Sequence, residues 1–190
     1  MQAFLVSTGV VALAEIGDKT QLLSLVLAAR FRKPWPITFG ILVSTLINHA
    51  GAAAIGKGIT NWLSPNTLRW ILGVSFLVMA VWTMIPDKLD ENRPLDTTHF
   101  GIFGTTVVAF FLAEMGDKTQ FATIALAAKY GALSAVVAGT TLGMMLANVP
   151  VVFIGDKLTR KIPIRAIHFI AATIFALFGI LALVSIGSLA

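Results

Sequence analysis

An eight-residue motif with three ionisable side chains occurs twice in this chain, each time in the middle of an apolar run. The first copy, AEIGDKTQ, covers residues 14–21, and the second, AEMGDKTQ, covers residues 113–120, an offset of 99 residues. Charged side chains are costly inside hydrophobic segments, and at membrane depth they mark ion pathways, proton relays or binding sites. The fold must shelter both copies, and we expect them to form its functional centre.

The composition is that of an integral membrane protein. Of the 190 residues, 57% are hydrophobic and 12% are charged, whereas soluble domains carry roughly 25% charged residues. The absence of cysteine excludes thiolate metal sites and disulfides. The formal net charge is +5, but the basic residues cluster in short loops between apolar runs. We attribute them to membrane topology and expect no nucleic-acid partner.

Six apolar spans are predicted, so the expected fold class is an all-α integral membrane protein. The spans cover about residues 3–29, 37–56, 68–85, 99–128, 132–154 and 164–189. The polar stretch 86–98 is predicted to be a cytoplasmic linker. It divides a single transmembrane domain into one three-helix repeat over residues 1–85 and another over residues 99–190.

The two repeats are predicted to be inverted, because an odd number of spans per repeat reverses the direction in which the second copy enters the membrane. Inverted repeats are typical of secondary transporters, whose sites lie near the midplane between the halves. The loops after spans one, three and five hold nine Lys and Arg residues, and the other loops hold three. This bias predicts that both termini face the periplasm.

The spacing inside each motif suggests a cation site. Glu15 and Asp18 are three residues apart, as are Glu114 and Asp117, so in a continuous helix each pair would share one face. Two inverted copies meeting at the midplane would bring four carboxylates together, and divalent cations such as Ca²⁺ and Mn²⁺ prefer oxygen ligands. The neutral candidates for additional metal ligands are Thr20, Thr119, Gln21, Gln120, Asn48 and Asn148.

The charges of the motifs suggest how such a site would work. With Glu, Asp and Lys ionised, each motif carries −1, so the two together match one divalent cation. When the cation leaves, desolvation and like charge both favour protonation of the carboxylates. Lys19 and Lys118 are candidates for charge pairing in the cation-free state or for a gate across the repeats. The alternative is that they extend toward an interface and affect only topology.

Two Glu-x-Gly-Asp-Lys-Thr motifs in a six-span chain resemble the Golgi/chloroplast manganese and calcium cation transporter family, which has bacterial manganese-exporter members. The resemblance covers the whole chain, including residues 15–20 and 114–119, the three-plus-three layout and the acidic linker. It implies a cation/proton exchanger that carries Mn²⁺, or in some members Ca²⁺, and has no cofactor. A bacterial member of this size would export Mn²⁺ across the inner membrane, and a homo-oligomer is left open.

The sequence is also compatible with three other functions. The chain could export a small organic solute with the carboxylates as proton-coupling groups, or it could be a passive channel. It could also be an intramembrane aspartyl protease using Asp18 and Asp117, but a protease has no use for two further Glu and two Lys at fixed spacing. We therefore expect a transporter and not an enzyme. His49 and His168 are expected to be packing or interfacial residues.

Overall fold

The computed structural model describes residues 1–85, 100–154 and 164–187, and within them the chain is helical. The helices are α1 (Gln2–Glu15), α2 (Lys19–Phe31), α3 (Pro34–Ile59), α4 (Pro65–Thr83), α5 (Gly101–Glu114), α6 (Lys118–Tyr130), α7 (Leu133–Ile154) and α8 (Ile164–Gly187). The predicted linker over residues 86–98 lies outside the described residues.

Four of the described helices are long and apolar enough to cross a membrane: Pro34–Ile59, Pro65–Thr83, Leu133–Ile154 and Arg165–Val184. The two remaining predicted spans, which carry the motifs, are each divided into two shorter helices. Gln2–Glu15 and Gly101–Glu114 are apolar but too short to cross alone. Within the described residues the protein is thus an all-helical membrane protein in which both motif-bearing segments are broken.

The breaks have the same cause in both motifs. Gly17 and Gly116 have φ angles of 84° and 72°, a conformation that residues with a side chain rarely adopt and that ends a helix. Asp18 and Asp117 then take extended conformations at the N-cap positions of α2 and α6. An aspartate is a favoured N-cap because its carboxylate can accept from the first free amides of the helix.

The other helix ends follow from ordinary capping residues. Arg32 and Gly131 end α2 and α6 in the left-handed conformation, with φ angles of 52° and 64°. Pro34 opens α3 at a position where a missing amide hydrogen costs nothing. Ser64 caps α4, because its Oγ accepts from the amide of Thr67 at 3.2 Å.

The two halves pack against each other through equivalent contacts. A Cβ added to Gly139 on α7 would lie 2.5 Å from the Phe4 carbonyl oxygen and 3.0 Å from Ser7 Cβ on α1. A Cβ added to Gly40 on α3 would lie 3.0 Å from the Phe103 carbonyl oxygen and 2.6 Å from Thr106 Cβ on α5. Each residue of the first contact corresponds to one of the second through the 99-residue offset. Small residues thus let the middle helix of each half approach the broken segment of the other closely.

The outer layer is formed by α4 and α8, which pack extensively against each other. Gly73 and Gly179 lie at their crossing, and a Cβ on either would come within 3.2 Å of the other's carbonyl oxygen. Phe76 stacks on Phe175 with ring centroids 6.3 Å apart. This pair of helices covers the core that contains the two breaks.

Candidate cation site

The two breaks form matching turns. The amide of Asp18 donates to the Glu15 carbonyl at 3.0 Å, and that of Asp117 donates to the Glu114 carbonyl at 3.1 Å. A glutamine closes each turn, since Gln21 Oε1 accepts from the Gly17 amide at 2.9 Å. Gln120 Oε1 accepts from the Gly116 amide at the same distance. The turns hold each motif glutamate at the end of one helix and each aspartate at the start of the next.

This arrangement corrects one prediction. Glu15 and Asp18 do not share one face of a continuous helix, nor do Glu114 and Asp117, because the helix ends between the members of each pair. The same break separates each lysine from its own glutamate. The positive φ of the glycine redirects the chain, so the carboxylates approach one another through the break and not through helical spacing.

Three buried carboxylates lie together at the centre of the fold. One oxygen from each of Glu15, Glu114 and Asp117 lies within 4.8 Å of the other two. Glu15 and Glu114 are completely buried, and Asp117 is nearly so. Ionised carboxylates at this separation, shielded from water, repel one another strongly and require a counter-charge or a proton.

Two ion pairs cross between the motifs. Lys19 Nζ lies 2.8 Å from Asp117 Oδ1, and Lys118 Nζ lies 2.8 Å from Asp18 Oδ1. Each lysine therefore pairs with the aspartate of the other half and not with its own. The two pairs differ in exposure, since Lys118 and Asp18 are fully buried whereas the Lys19 side chain is 22% exposed. The protein is thus more open at the Lys19 pair than at the Lys118 pair.

The motif threonines occupy unequal positions. Thr119 Oγ1 donates to Glu114 Oε2 at 2.9 Å and lies 3.3 Å from Asp117 Oδ2. Thr20 is also completely buried, but its hydroxyl has no hydrogen-bond partner among the described residues. The hydroxyl oxygens of both residues can act as neutral ligands of a hard cation, although only that of Thr119 contacts the carboxylates directly.

Asn148 on α7 contacts the glutamate of the first motif. Its Nδ2 donates to Glu15 Oε1 at 3.2 Å, and its Oδ1 accepts from Ser24 Oγ at 2.8 Å. The same Nδ2 lies 3.0 Å from the sulfur of Met144. Ser24 was not among the predicted site residues, and the only hint of it in the sequence is Thr123 at the equivalent position of the second half.

The remaining predicted site residues contact the backbone. Asn48 Nδ2 donates to the Phe111 carbonyl at 3.3 Å, and Gln21 Nε2 donates to the Ala147 carbonyl at 3.0 Å. Gln21 accepts from the Gly17 amide and donates to the Ala147 carbonyl, so both ends of its side-chain amide stabilise the break. The direct ligand roles proposed for the two glutamines stay predictions.

A histidine completes the first break. His168 on α8 is buried, and its Nε2 lies 2.8 Å from the Ile16 carbonyl oxygen, which the break removes from the helical ladder. The sequence predicted that His168 is a packed or interfacial residue. Its contact with Ile16 could not be predicted, because the two residues are 152 positions apart in the chain. The residue corresponding to Ile16 in the second motif is Met115, whose side chain is exposed.

The cluster as a whole has the chemistry of a hard-cation site. Two Glu, two Asp and two Lys sum to −2 when all are ionised. The Thr119 hydroxyl adjoins Glu114, and the Asn148 amide nitrogen adjoins Glu15. Such oxygen donors suit Ca²⁺, Mg²⁺ and Mn²⁺. The same carboxylates can be neutralised by protons instead, so metal and proton would compete for them.

Comparisons with known proteins agree with this chemistry. The family model described as "Divalent cation/proton antiporter GDT1" matches residues 3–91 and 102–188. A Vibrio cholerae protein named "Putative manganese exporter" is 53% identical over 181 residues, which cover 95% of this chain and 90% of that protein. "GDT1-like protein 5" of Arabidopsis thaliana is 26% identical over 97% of this chain and 96% of its own length. No solved structure matches the chain.

Proposed function

The chain belongs to the divalent cation/proton antiporter GDT1 family, and from that premise we propose that it exports Mn²⁺ in exchange for protons. It is a membrane cation transporter and not an enzyme, so the protease and organic-solute interpretations are set aside. The choice of Mn²⁺ over Ca²⁺ is supported by the name of the Vibrio cholerae relative. The exchange mechanism is supported by the arrangement of charges at the two breaks.

The observation that carries the proposal is the pair of crossed ion pairs. Because Lys19 and Lys118 each neutralise an aspartate of the opposite motif, the charge left over belongs to Glu15 and Glu114. Two buried glutamates carry −2 when ionised, which one divalent cation or two protons would cancel. If the site must be neutral, it holds either the cation or the protons but not both. Binding of one then releases the other, which is the property that an antiporter needs.

We propose that Glu15, Glu114 and Asp117 form the core of the cation site. The hydroxyls of Thr20 and Thr119 and the side chain of Asn148 would complete it. Cation binding would compete with Lys19 for Asp117, so arrival of the metal would loosen that ion pair. Lys118 and Asp18 would form the gate on the side of the site that is closed to water in this structure, since that pair is fully buried.

We further propose that the molecule spans the membrane six times as two inverted repeats. In this arrangement α1 with α2 and α5 with α6 each form one broken span, as in transporters whose sites lie at discontinuous helices. The equivalent contacts of Gly40 and Gly139 support a two-fold relation between the halves. Alternating access would then arise when one half rocks against the other about the buried carboxylates. We propose a bacterial inner membrane as its location, by analogy with the Vibrio cholerae relative. We propose that both termini face the periplasm, from the distribution of the basic residues.

The direct test is cation flux in proteoliposomes under an imposed proton gradient. We expect Mn²⁺ to move against protons, with Ca²⁺, Mg²⁺ and Zn²⁺ compared in the same preparation. Glu15→Gln and Glu114→Gln should each abolish flux while the protein still folds. Glu91→Gln changes the one glutamate of the sequence that lies outside the motifs, so it is the matched control and should retain flux. Flux that does not respond to the proton gradient would indicate a channel, and no flux of any cation would refute the proposal.

A further inference from the structure

His49 is a buried polar side chain whose presence the motif chemistry does not explain. It lies on α3, is completely buried, and neither of its ring nitrogens has a hydrogen-bond partner among the described residues. Leaving a buried polar group without a partner costs stability, because the group loses its hydrogen bonds to water. Such a group calls for an explanation, and a bound ion is one of the explanations that chemistry offers.

The register of the two halves pairs His49 with Asn148. The offset of 99 residues that relates the two motifs, and that relates the Gly40 and Gly139 contacts, takes position 49 to position 148. At this offset the counterpart of Asn148 is His49 and not the neighbouring Asn48. Asn148 contacts Glu15 of the first motif directly, and the residue at the equivalent position of the second half is a histidine. Its ring nitrogens lie outside the group of ligand atoms that Glu15, Glu114 and Asp117 bring within 4.8 Å of one another, so a contact with the cation requires the ring to move toward that group.

The course of α3 places His49 at the depth of the second break. Asn48, its neighbour, donates to the Phe111 carbonyl just before α5 ends. Gly56, one heptad after His49 and therefore on the same helix face, packs against Ile124 and Ala127 of α6. Since α3 and α6 run in the same direction through these contacts, one heptad back along α6 from Ile124 is Asp117, at the break itself.

We propose, on the basis of the cation site described above, that His49 supplies an imidazole nitrogen to the cation on the side of Glu114. It is the counterpart of Asn148 on the side of Glu15, and it determines selectivity for transition metals over Ca²⁺. Calcium takes oxygen ligands almost exclusively, whereas imidazole is a good ligand for first-row transition metals. A site built only from carboxylates, hydroxyls and amides would discriminate poorly between Mn²⁺ and Ca²⁺. A single nitrogen ligand from one half raises the affinity for Mn²⁺ relative to that for Ca²⁺.

The first test is the selectivity of His49→Asn, which gives both halves the same side chain. In proteoliposomes we expect the ratio of Mn²⁺ to Ca²⁺ transport to fall about tenfold or more, the range seen when even an outer partner of a metal site is lost. Most of the change should come from weaker Mn²⁺ uptake. An unchanged ratio with wild-type Mn²⁺ affinity would overturn the proposal.

The second test is spectroscopic and needs no transport. Mn²⁺ bound to the purified wild-type protein should show the electron spin echo modulation of a coordinated ¹⁴N imidazole, and His49→Asn should lack it. His99→Asn is the matched control and should keep the signal, because His99 adjoins the predicted linker and lies outside both motifs. Mn²⁺ that binds the wild type without nitrogen modulation refutes the role of His49 but leaves the carboxylate site standing. Failure of Mn²⁺ to bind at all refutes the site itself.

Discussion

At the scale of single residues, the largest energetic cost is that of burying charged side chains inside an apolar fold. The crossed ion pairs supply counter-charges for the two aspartates, because each has a lysine at 2.8 Å, and they leave the two glutamates to be neutralised by a cation or protons. The identity of these residues could be predicted from the sequence, since the duplicated motif names all of them. Their partners could not be predicted. A lysine in a duplicated motif can pair with the aspartate of its own copy or with that of the other copy, and the sequence does not distinguish the two.

The two lysines should differ in their contribution to stability. Lys118→Met leaves Asp18 with an uncompensated charge in a fully buried position, which costs about 3–5 kcal/mol in comparable buried pairs. Lys19→Met should cost less, because water reaches the Lys19 side chain. Thermal unfolding of the purified variants in detergent measures both.

The double variant Asp18→Asn/Lys118→Met is the control for that prediction. Removing both charges together should restore much of the lost stability, since no buried charge is left without its counter-charge. Equal destabilisation by the two single lysine variants, or no recovery in the double variant, would show that the charge pair is not the cause.

At the scale of helices, the decisive feature is the break between α1 and α2 and its equivalent between α5 and α6. The glycine in each motif suggested a break, but a glycine inside an apolar helix costs only about 1 kcal/mol and is often tolerated. In a segment where nearly every position is apolar, periodicity cannot reveal where a helix stops. The sequence predicted that four carboxylates would come together, and the structure brings three of them, Glu15, Glu114 and Asp117, within 4.8 Å of one another. It placed each Glu and Asp wrongly on one helix face, and the role of the carboxylates as metal ligands stays a prediction.

Gly116→Ala should destabilise the protein by about 1–2 kcal/mol, because alanine disfavours the positive φ of 72° at this position. Steric conflict is not the cause, since an added Cβ would meet nothing within 4 Å. The loss of stability can be measured by thermal unfolding.

Gly51→Ala is the matched control for the break. Gly51 lies within α3 and also has open space around its Cβ position, but its backbone is helical. Alanine there should be neutral or stabilising by up to about 1 kcal/mol. If the two alanine variants behave alike, the break does not depend on glycine conformation.

At the scale of the whole molecule, the two halves are related by a constant offset that reaches from the motifs to the packing glycines. The duplication was visible in the sequence, and it correctly suggested that the halves would meet around the motifs. Which helices touch could not be predicted, because almost every helix face in a membrane protein is apolar. The close approaches at Gly40 and Gly139 identify the neighbours instead.

The inverted arrangement predicts that equivalent residues of the two halves face opposite sides of the membrane. Lys33 and Ala132 are exposed, lie in equivalent interhelical connections, and are related by the 99-residue offset. Because the chain has no cysteine, Lys33→Cys and Ala132→Cys each provide a single labelling site. A membrane-impermeant thiol reagent applied to intact and inverted membranes should label Lys33→Cys from the cytoplasmic side and Ala132→Cys from the periplasmic side. Labelling of both from one side would contradict the inversion.

The central claim is that Glu15 and Glu114 hold either one divalent cation or two protons. The most direct measurement is the number of protons released when Mn²⁺ binds the purified protein, determined by titration calorimetry in buffers of different ionisation enthalpy. We predict that release approaches about two protons per Mn²⁺ where the empty site is protonated, and falls to about one in Glu114→Gln if binding survives. Binding of Mn²⁺ without proton release over the whole pH range in which the protein transports would contradict the account.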